Sequence, residues 1–447
     1  MEPMKRLAPI AAVAAFMLFP SSGAAPRAAQ GVVGASVLAS MAGSPSVKVI
    51  VLIDADGLSL TDLGARSKAI AERRDGVLDG LSSDDFRVTD SFQNISAVAG
   101  YVTFEGLREL VRDYRVQKID LDMPGHMALA ESTDLVRARD VQASGITGAS
   151  VTVAVFDTGI DSDHPDLQDD IVAQQCCCAN ADGSGCCPGG RTEASGPGGA
   201  EDEQGHGTHV AGIITSGGRV APRGMAPDAD IVAVRVLDKT GAAASATQLM
   251  KAFDYIISSQ PAVKVVNASL TFGSFPGLCD SASALTSAIA QGVNTLRARG
   301  TLTVASAGNS ANKKEIGVPA CLAGAIGVGA VYDGNVGTVS FGCTDASTAA
   351  DKIACFSNSS TAVDLLAPGA AISSSGMGGG VAGFAGTSQA APHVAGAIAL
   401  LLQAKPGATA DQLEAALKSS GRPITDPGNG LSIPRIDVKT AVDAIKR

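Results

Sequence analysis

One continuous run of small and apolar residues near the C-terminus constrains the fold of this chain more than any other feature. It extends to Leu402, and it opens with Gly386-Thr-Ser-Gln-Ala-Ala-Pro-His-Val-Ala-Gly396. Its length predicts a buried helix rather than a strand. Pro392 is compatible with that helix only in the first turn, where its missing N–H is no loss. We therefore predict a helix packed closely against a sheet, with Ser388 at its positively polarised N-terminus.

Two stretches further upstream give this helix a chemical context. Residues 151–156 form the apolar run expected of a fully buried parallel strand, and Asp157 follows where that strand should end. His206 opens a second small-residue helix after a glycine-rich loop. Taken singly, Ser388 and Asp157 are explained as helix caps and His206 as a core histidine. All three explanations together are improbable, and Asp, His, Ser is one of the chain orders of the serine-protease triad.

These three motifs, in this order, resemble those of the subtilisin-like serine proteases (subtilases, peptidase S8 type), over roughly the last two-thirds of the chain. The resemblance implies that Ser388 is the nucleophile, His206 the general base and Asp157 the residue that orients the histidine. It also implies that Asn309, in Val-Ala-Ser-Ala-Gly-Asn after a predicted strand, donates to the oxyanion. A simple Gly-Asn turn is the alternative for this dipeptide.

The same resemblance implies a substrate site in which the peptide binds as an added strand. Its two walls are Ser269, Leu270 and Thr271 on one side and Ser306, Ala307 and Gly308 on the other. Thr271 and Phe272 stand where the family typically has glycine, and Gln389 stands where it usually has methionine. These departures remove no catalytic group, but they leave the side-chain preference open.

A calcium site is weakly indicated. Asp161 and Asp166 resemble family positions, and an aspartate at the second of them ligates calcium in some members. The partner loop, 216–220, is short and carries no Asn or Asp. We therefore favour a solvated acidic turn over a structural Ca²⁺ ion, assign no metal ligand and expect no cofactor in the chemistry.

Composition and length bound the rest of the chain. Its 447 residues suggest two folded units and processing segments, and a net charge of −10 argues against nucleic acid as a partner. Residues 1–29 carry two basic residues, an apolar run and a small-residue zone, which predict a secretory signal peptide. A membrane anchor is the alternative, but the run is too short to span a bilayer. We expect a protein that is secreted (extracellular or periplasmic), is monomeric and has no membrane span.

The segments between the signal peptide and the first motif are predicted from their patterns. Residues 30–46 are expected to be a linker. Residues 47–122 show a β-α-β-β-α-β order, which is ferredoxin-like and resembles the inhibitor-I9-like propeptide of the family. That domain would be an intramolecular inhibitor, and an unrelated small binding domain is the alternative. Residues 123–133 have the composition of an exposed, cleavable junction.

Residues 134–447 alternate strands with helices. This alternation predicts an α/β catalytic domain with three layers and a mostly parallel central sheet. The resemblance reaches almost to the C-terminus, and we expect no further domain after it.

All nine cysteines lie in this second part of the chain, and in an exported protein they predict disulfides with at least one thiol left over. We expect Cys279 to pair with Cys321 and Cys343 with Cys355. Five further cysteines lie in an insertion between the Asp and His motifs, where connectivity cannot be deduced. A metal–thiolate cluster is the alternative there, although the insertion holds no histidine.

The sequence therefore predicts a secreted serine endopeptidase that acts on protein or peptide substrates and is made as an autoprocessed preproenzyme. A non-catalytic scaffold is the first rival, but no triad or oxyanion residue is lost. An esterase or lipase is the second, and Ser388 lacks the Gly-x-Ser-x-Gly elbow expected of that class.

Overall fold

The computed structural model describes residues 32–59, 62–121, 128–180 and 182–447. The chain divides into two compact units, Met1–Gly125 and His126–Arg447. The predicted signal peptide, 1–29, lies outside the described residues.

The first unit is a four-stranded antiparallel sheet with the order β2-β3-β1-β4. Its elements are α1 Ala35–Met41, β1 Ser46–Ile53, α2 Leu63–Leu78, β2 Phe86–Ser91, β3 Ala97–Thr103, α3 Phe104–Arg112 and β4 Val116–Leu121. From β1 onward this is the β-α-β-β-α-β order that the sequence predicts. The residues of β1 alternate, with Val49 and Val51 in the core and Ile50 and Leu52 exposed. Apolar side chains therefore remain on one open face of this sheet, and Tyr101 of β3 is also exposed.

The stretch predicted as a linker, 30–46, is part of this unit. Val33 bridges to Ile119 of β4, and Val33 and Val37 belong to the apolar core. Helix α1 begins at Ala35. The folded unit thus starts before residue 47, because Val33, which bridges to β4, and Val37, which lies in α1, anchor this segment to the apolar core.

The second unit is built on a 10-stranded sheet with the order β19-β20-β16-β13-β11-β9-β5-β8-β6-β7. Its strands are β5 Thr152–Asp157, β6 Ile171–Cys177, β7 Glu193–Ser195, β8 Asp230–Arg235, β9 Val263–Ala268, β11 Leu302–Ser306, β13 Ala325–Tyr332, β16 Leu365–Ala370, β19 Arg422–Thr425 and β20 Ser432–Arg435. Smaller two-stranded pairs are formed by β10 Phe272–Phe275 with β12 Ile316–Val318, β14 Val339–Ser340 with β15 Thr344–Asp345, and β17 Ile372–Gly376 with β18 Gly380–Phe384.

The helices of this unit cover both faces of the sheet. They are α4 Ala128–Leu135, α5 Ala138–Gln142, α6 His206–Thr215, α7 Thr247–Ser259, α8 Ala284–Ala298, α9 Thr387–Ala404, α10 Ala410–Ser420 and α11 Val438–Ile445. From β20 to β6 every neighbouring pair of strands is parallel. The predicted three-layer α/β fold with a mostly parallel sheet is confirmed.

Strand β5 shows why both faces must be covered. Val153 and Val155 pack in the core that contains α6 and α9. Ala154 and Phe156 pack in the core that contains α7 and α8. A strand buried on both sides has no polar alternation, which explains its continuous apolar sequence.

Helix α9 is the buried helix predicted from the C-terminal run, since every residue from Thr387 to Leu402 is buried. The expected position of Pro392 is wrong. The helix begins at Thr387, so this proline lies in its second turn and removes one hydrogen bond from the helix.

The C-terminal end of the predicted junction, 123–133, is not exposed. Ser132 and Thr133 lie in α4 and are fully buried, and the Ser132 hydroxyl is 2.8 Å from His393 Nε2 of α9. The exposed stretch expected there therefore cannot include these two residues, and 122–127 lie outside the described part of the chain.

Four disulfides are present: Cys176–Cys187, Cys178–Cys186, Cys279–Cys321 and Cys343–Cys355. The two predicted pairs are confirmed. In the insertion the cysteines form two nested pairs, and Cys177 is left as a buried free thiol. This pairing rules out the metal–thiolate alternative for those four residues, because their sulfur atoms are bonded to each other.

The strand order reverses direction at one place. The chain passes from β5 to β6 and β8 on one side, and then to β9, β11, β13 and β16 on the other. Such a switch point, at the carboxyl ends of the strands, is where open α/β sheets bind ligands. No helix in the described part of the chain is both long and apolar enough to cross a bilayer.

Candidate active site

The residues singled out by the motifs meet at the carboxyl edge of the sheet, beside the switch point. Asp157 ends β5, and Ser269 follows the end of β9. Ser306 ends β11, and Asn309 lies three residues beyond it. Ser388 is the second residue of α9. The parallel register of β5, β9 and β11 makes these strand ends neighbours.

Asp157 and His206 form a direct pair. His206 Nδ1 donates to Asp157 Oδ1 at 2.7 Å, and the backbone N–H of Thr158 donates to the same oxygen at 2.8 Å. Asp157 is fully buried, whereas the His206 side chain is 22% exposed. Because Nδ1 carries the donated proton, the neutral imidazole keeps its Nε2 lone pair as an acceptor that faces the site.

The position of His206 depends on the N-terminus of α6, which it opens. The buried carboxylate of Asp202 accepts from the backbone N–H groups of Gln204, Gly205 and Thr208 and from the Thr208 hydroxyl. These bonds satisfy donors that a helix N-terminus leaves free.

Helix α6 also lies unusually close to the end of β5. A Cβ atom on Gly207 would lie 2.0 Å from the carbonyl oxygen of Gly159 and 3.0 Å from the Asp157 Cβ. Only glycine fits, and it lets the helix approach until His206 reaches Asp157.

Burial and the neighbouring carboxylate act on the pKa of His206 in opposite directions. Burial disfavours the charged imidazolium, but the charge of Asp157 and its hydrogen bond outweigh burial, with a smaller contribution from Asp202. The pKa of His206 is therefore raised above its ordinary value of 6.5. The pair favours a proton on His206.

The Ser388 hydroxyl donates to the backbone carbonyl of Ser269 at 3.1 Å and not to His206. The Nε2 atom of His206 instead lies 3.5 Å from Nε2 of Gln389, whose amide is the donor because His206 Nδ1 already donates to Asp157. Gln389 is buried beside the nucleophile position. Proton transfer from Ser388 to His206 would thus require two changes. The Ser388 hydroxyl must break its bond to the Ser269 carbonyl, and the Gln389 amide must move away from His206 Nε2.

Asn309 is held by the residue that precedes the nucleophile position. Its Oδ1 accepts from the backbone N–H and from the hydroxyl of Thr387, each at 2.8 Å. The Thr387 hydroxyl in turn accepts from the backbone N–H of Gly308 at 3.0 Å. With Oδ1 fixed, the Asn309 Nδ2 group has no partner among the described residues and is free to donate. A Cβ atom placed on Gly386 would lie 3.1 Å from Asn309 Nδ2 and 3.6 Å from the Ser388 backbone nitrogen. Both nitrogen atoms therefore lie beside this glycine.

The two predicted substrate walls lie side by side. The Ser306 hydroxyl donates to the carbonyl of Leu270 at 3.4 Å, which links them directly. Ser269, Leu270, Ser306, Ala307 and Gly308 are buried, whereas Thr271 is exposed. The Thr271 side chain covers Gly317, where a Cβ would lie 2.7 Å from the threonine Cβ. Its neighbour Phe272 pairs with Val318 in the β10–β12 ribbon.

The acidic residues considered for calcium are surrounded by donors. Both oxygens of Asp166 accept backbone N–H groups, which come from Arg219, Val220 and Ala221 in the loop that follows α6. Asp161 Oδ2 accepts from the backbone N–H groups of Gly378 and Gly379.

A cation at Asp166 would face N–H groups rather than oxygen ligands. Among the described residues no group of three or more His, Cys, Asp or Glu side chains is arranged to hold a metal ion. The residues do not fit calcium. The expectation of a solvated acidic turn is wrong for Asp166, because that carboxylate is buried and organises the loop.

Two further histidines lie near the site without a charge. Burial lowers the pKa of His209 to about 3 and that of His393 to about 4. His209 Nε2 donates to the carbonyl of Ile372, and His393 Nδ1 donates to the carbonyl of Gln389. Both are neutral packing residues.

Three residues of the site were not found by sequence reasoning: Thr387, Asp202 and Thr158. Thr387 orients Asn309, Asp202 supports the start of α6, and the Thr158 hydroxyl accepts the backbone N–H of Gly207 at 2.9 Å. Each one adjoins a motif. The sequence signal for all three is a small polar residue close to a motif residue, where its side chain can form hydrogen bonds with nearby backbone.

Known proteins are similar to this chain over most of its second unit. The model of the subtilase family matches residues 148–432. Subtilisin E of Bacillus subtilis (strain 168) is 30% identical over 346 residues, which cover 76% of this chain and 80% of that protein. Subtilisin of Bacillus pumilus is 32% identical over 286 residues, which cover 64% of this chain and 88% of that protein.

Among solved structures, a cold adapted subtilisin-like serine proteinase matches with a TM-score of 0.49 and 28% identity, covering 65% of this chain and 89% of that one. The family match spans more than half of the chain and contains every motif residue described above. The chain therefore belongs to the subtilase family and is a serine-type endopeptidase.

Proposed function

We propose that this protein is a secreted endopeptidase that hydrolyses peptide bonds through Asp157, His206 and Ser388, with Asn309 as an oxyanion donor. The observation that carries the proposal is the buried pair of Asp157 and His206 at 2.7 Å, beside the N-terminus of the helix that bears Ser388. A histidine held in one tautomer by a buried carboxylate is the device that activates a serine hydroxyl.

The reaction begins with proton transfer. His206 Nε2 accepts the proton of the Ser388 hydroxyl as its oxygen attacks the scissile carbonyl carbon. Asp157 keeps Nδ1 protonated and stabilises the imidazolium that forms. His206 then delivers its proton to the leaving amine, and water repeats the cycle on the acyl-enzyme. No cofactor is needed for any of these steps.

Negative charge that develops on the carbonyl oxygen needs fixed donors. The Asn309 Nδ2 group and the backbone N–H of Ser388 supply them. Thr387 supports this role because it fixes the orientation of the Asn309 amide. Its backbone N–H and its hydroxyl both donate to Asn309 Oδ1, which leaves the Nδ2 group available for the substrate. Donors oriented before the reaction lower the barrier without reorganisation.

The substrate is a protein or peptide in an extended conformation. Its backbone would pair with segments 269–271 and 306–308, which are adjacent and joined by the Ser306–Leu270 hydrogen bond. We expect the β-branched side chain of Thr271 to narrow the pocket between these walls.

Export and maturation complete the proposal. Four disulfides favour an oxidising compartment, and the N-terminal pattern favours a cleaved signal peptide. The first unit, with the open apolar face that carries Ile50, Leu52 and Tyr101, has the character of a domain that acts by binding another protein. We assign it the role of propeptide and intramolecular inhibitor.

The central test compares two serine variants. Ser388→Ala should abolish hydrolysis of a peptide library and labelling by a covalent serine-directed inhibitor. Ser375→Ala makes the same change at a buried hydroxyl that has no partner within the described chain. This variant should retain both peptide hydrolysis and labelling by the inhibitor. Inhibitor-sensitive hydrolysis that persists in Ser388→Ala would place the nucleophile elsewhere.

Asn309→Ala tests the oxyanion role separately. The corresponding donor of subtilisin is worth about 10²–10³ in turnover, and we expect a loss of that order in kcat with little change in KM. A loss confined to KM would contradict the role of Asn309 as an oxyanion donor.

A further inference from the structure

The backbone carbonyl of Ser388 lacks the donor that an α-helix normally provides four residues further along. Pro392 lies four residues further along α9 and has no N–H, so the helical hydrogen bond to the Ser388 carbonyl cannot form. A buried carbonyl requires a donor from elsewhere. The Ser269 hydroxyl is that donor, at 2.7 Å from the Ser388 carbonyl oxygen.

Ser269 also contacts Ser388 at a second atom. The backbone carbonyl of Ser269 accepts the Ser388 hydroxyl at 3.1 Å, so one residue binds both the main chain and the side chain of the other. Ser269 and Ser388 are both buried, 3% and 9% exposed. Water therefore competes little for either bond.

Asn267 determines the direction in which the Ser269 hydroxyl points. Its Nδ2 group donates to the Ser269 oxygen at 2.9 Å, and Asn267 is fully buried near the end of β9. A hydroxyl has one hydrogen. Since the oxygen accepts from Asn267, that hydrogen is directed to the Ser388 carbonyl. The chain of bonds runs from the central sheet to the proposed nucleophile.

We propose that Ser269 is a positioning residue that fixes the backbone and side chain of Ser388, replacing the helical bond that Pro392 removes. This inference rests on the proposed function of Ser388. Its side-chain role is distinct from the substrate wall, which uses the main chain of segment 269–271. A nucleophile displaced by about 1 Å loses as much as 10²-fold in rate, so a fixed carbonyl next to the reacting hydroxyl matters for turnover.

Kinetics on the active enzyme form the first test. Ser269→Ala should lower kcat roughly 10- to 100-fold, because it leaves a buried carbonyl without a donor, and should change KM by less than about threefold. Pro392→Ala returns an N–H that can bond the Ser388 carbonyl. In that background Ser269→Ala should cost at least about fivefold less in kcat. Thr303→Val, which removes a buried hydroxyl without a partner among the described residues, is the control and should leave kcat unchanged.

The second test does not depend on activity. The same four combinations at positions 269 and 392 are made in a Ser388→Ala background, where the carbonyl of residue 388 is still present, and urea midpoints are compared. We expect Ser269→Ala to lower the midpoint clearly when residue 392 is proline and less when it is alanine.

The two tests separate the possible failures. If wild-type protein hydrolyses no peptide, the proposed function fails, while the urea midpoints still decide whether the Ser269 bond exists. If Ser269→Ala lowers the urea midpoint equally with proline and with alanine at position 392, Ser269 does not replace the helical bond. The positioning role is overturned if the effect of Ser269→Ala on the urea midpoint depends on residue 392 but its effect on kcat is the same with proline and with alanine at that position.

Discussion

At the residue scale, the proposed mechanism makes the pair of Asp157 and His206 set the pH range in which the enzyme works. Only neutral His206 accepts a proton, so activity should be lost as pH falls through its pKa. Burial opposes the charged imidazolium, but Asp157 raises the pKa above the ordinary 6.5. We therefore predict that the acid limb of kcat/KM has its midpoint above pH 6.5.

Asp157→Asn removes the charge that raises this pKa. We expect kcat to fall by orders of magnitude and the acid limb of the residual activity to move to lower pH, because burial is then opposed only by the smaller contribution of Asp202. Profiles of kcat/KM between pH 5 and 10 for both proteins give the two midpoints. An acid limb that stays in place would show that another group titrates there.

Gln389 should affect the same midpoint in the opposite direction. Its amide donates to the neutral form of His206 at 3.5 Å and so favours the unprotonated imidazole. Gln389→Met removes this donor, and we predict that the acid limb moves upward by less than about one pH unit. A downward shift in the same kcat/KM profile would mean that the amide does not donate to Nε2.

The meeting of Asp157, His206, Asn309 and Ser388 at one edge of the sheet was predictable, because residue type, local pattern and chain order all pointed to these residues. The bonds of Ser388 were not. Which acceptor its hydroxyl selects depends on Ser269, 119 positions away in the chain. Thr387 was hidden for a similar reason, since its role is a hydrogen-bond direction that only the packed helix defines.

At the element scale, the loop after α6 is organised by a carboxylate and not by a metal. Asp166 accepts backbone N–H groups from Arg219, Val220 and Ala221, so the chain itself supplies the positive partners. We predict that adding EDTA or millimolar Ca²⁺ leaves the thermal midpoint within about 1 °C, since a site of donors gives a cation no ligands. A chelator-dependent loss of several degrees would contradict this assignment.

Asp166→Asn provides the matched variant. It exchanges one acceptor oxygen for a donor that faces N–H groups, and we expect a loss of about 1–3 kcal/mol in the free energy of unfolding. Asp182→Asn is the control, because Asp182 serves only an exposed turn. Both are measured in a Ser388→Ala background to prevent self-digestion.

The strands and helices were predictable where their patterns were long and apolar. The sequence pattern predicts helices at 104–112 and 438–445, and α3 and α11 begin and end there. It predicts strands at 263–270 and 302–305, from which β9 and β11 differ by two residues and one residue at their ends. The pattern also predicts a strand at 363–366, whereas β16 spans Leu365–Ala370. Its later half is hidden in the sequence because Pro368 argues against a central strand. The hairpin β17–β18 was missed since Ser and Gly dominate it, and it is defined by packing on α6 rather than by propensity.

At the scale of the whole molecule, buried neutral histidines limit stability in acid. Burial lowers the pKa of His393 to about 4, while the unfolded chain titrates near 6.5. Between these values only the unfolded state binds the proton. The free energy of unfolding is therefore highest above pH 6.5 and should fall by about 1.4 kcal/mol per pH unit through this residue as pH decreases towards 4.

His393→Gln isolates that contribution. In a Ser388→Ala background the variant should show a shallower dependence of unfolding free energy on pH, by about 1.4 kcal/mol per unit between pH 4 and 6.5. Urea unfolding at several pH values measures both slopes, and all other titrating groups cancel in the difference. Equal slopes would mean that His393 is charged in the folded protein.

Maturation involves the whole chain. Parallel sheets with many non-local pairs fold slowly, which gives a physical role to a helper domain. Ser132 and Thr133 are buried in α4, so a cut at the junction should fall before Ala128 and after the last strand of the first unit, which ends at Leu121.

If the proposed propeptide role is correct, Ser388 makes this cut within its own molecule. The precursor should then shorten at a rate independent of its concentration, with the new N-terminus between Leu121 and Ala128. Ser388→Ala should accumulate uncut, while Ser375→Ala should mature normally. The released first unit, added back to mature enzyme, should inhibit it. The propeptide assignment is refuted if purified Ser388→Ala is still cut there, or if the released unit leaves hydrolysis unaffected. Either outcome would leave the proposed catalytic roles of Asp157, His206 and Ser388 standing.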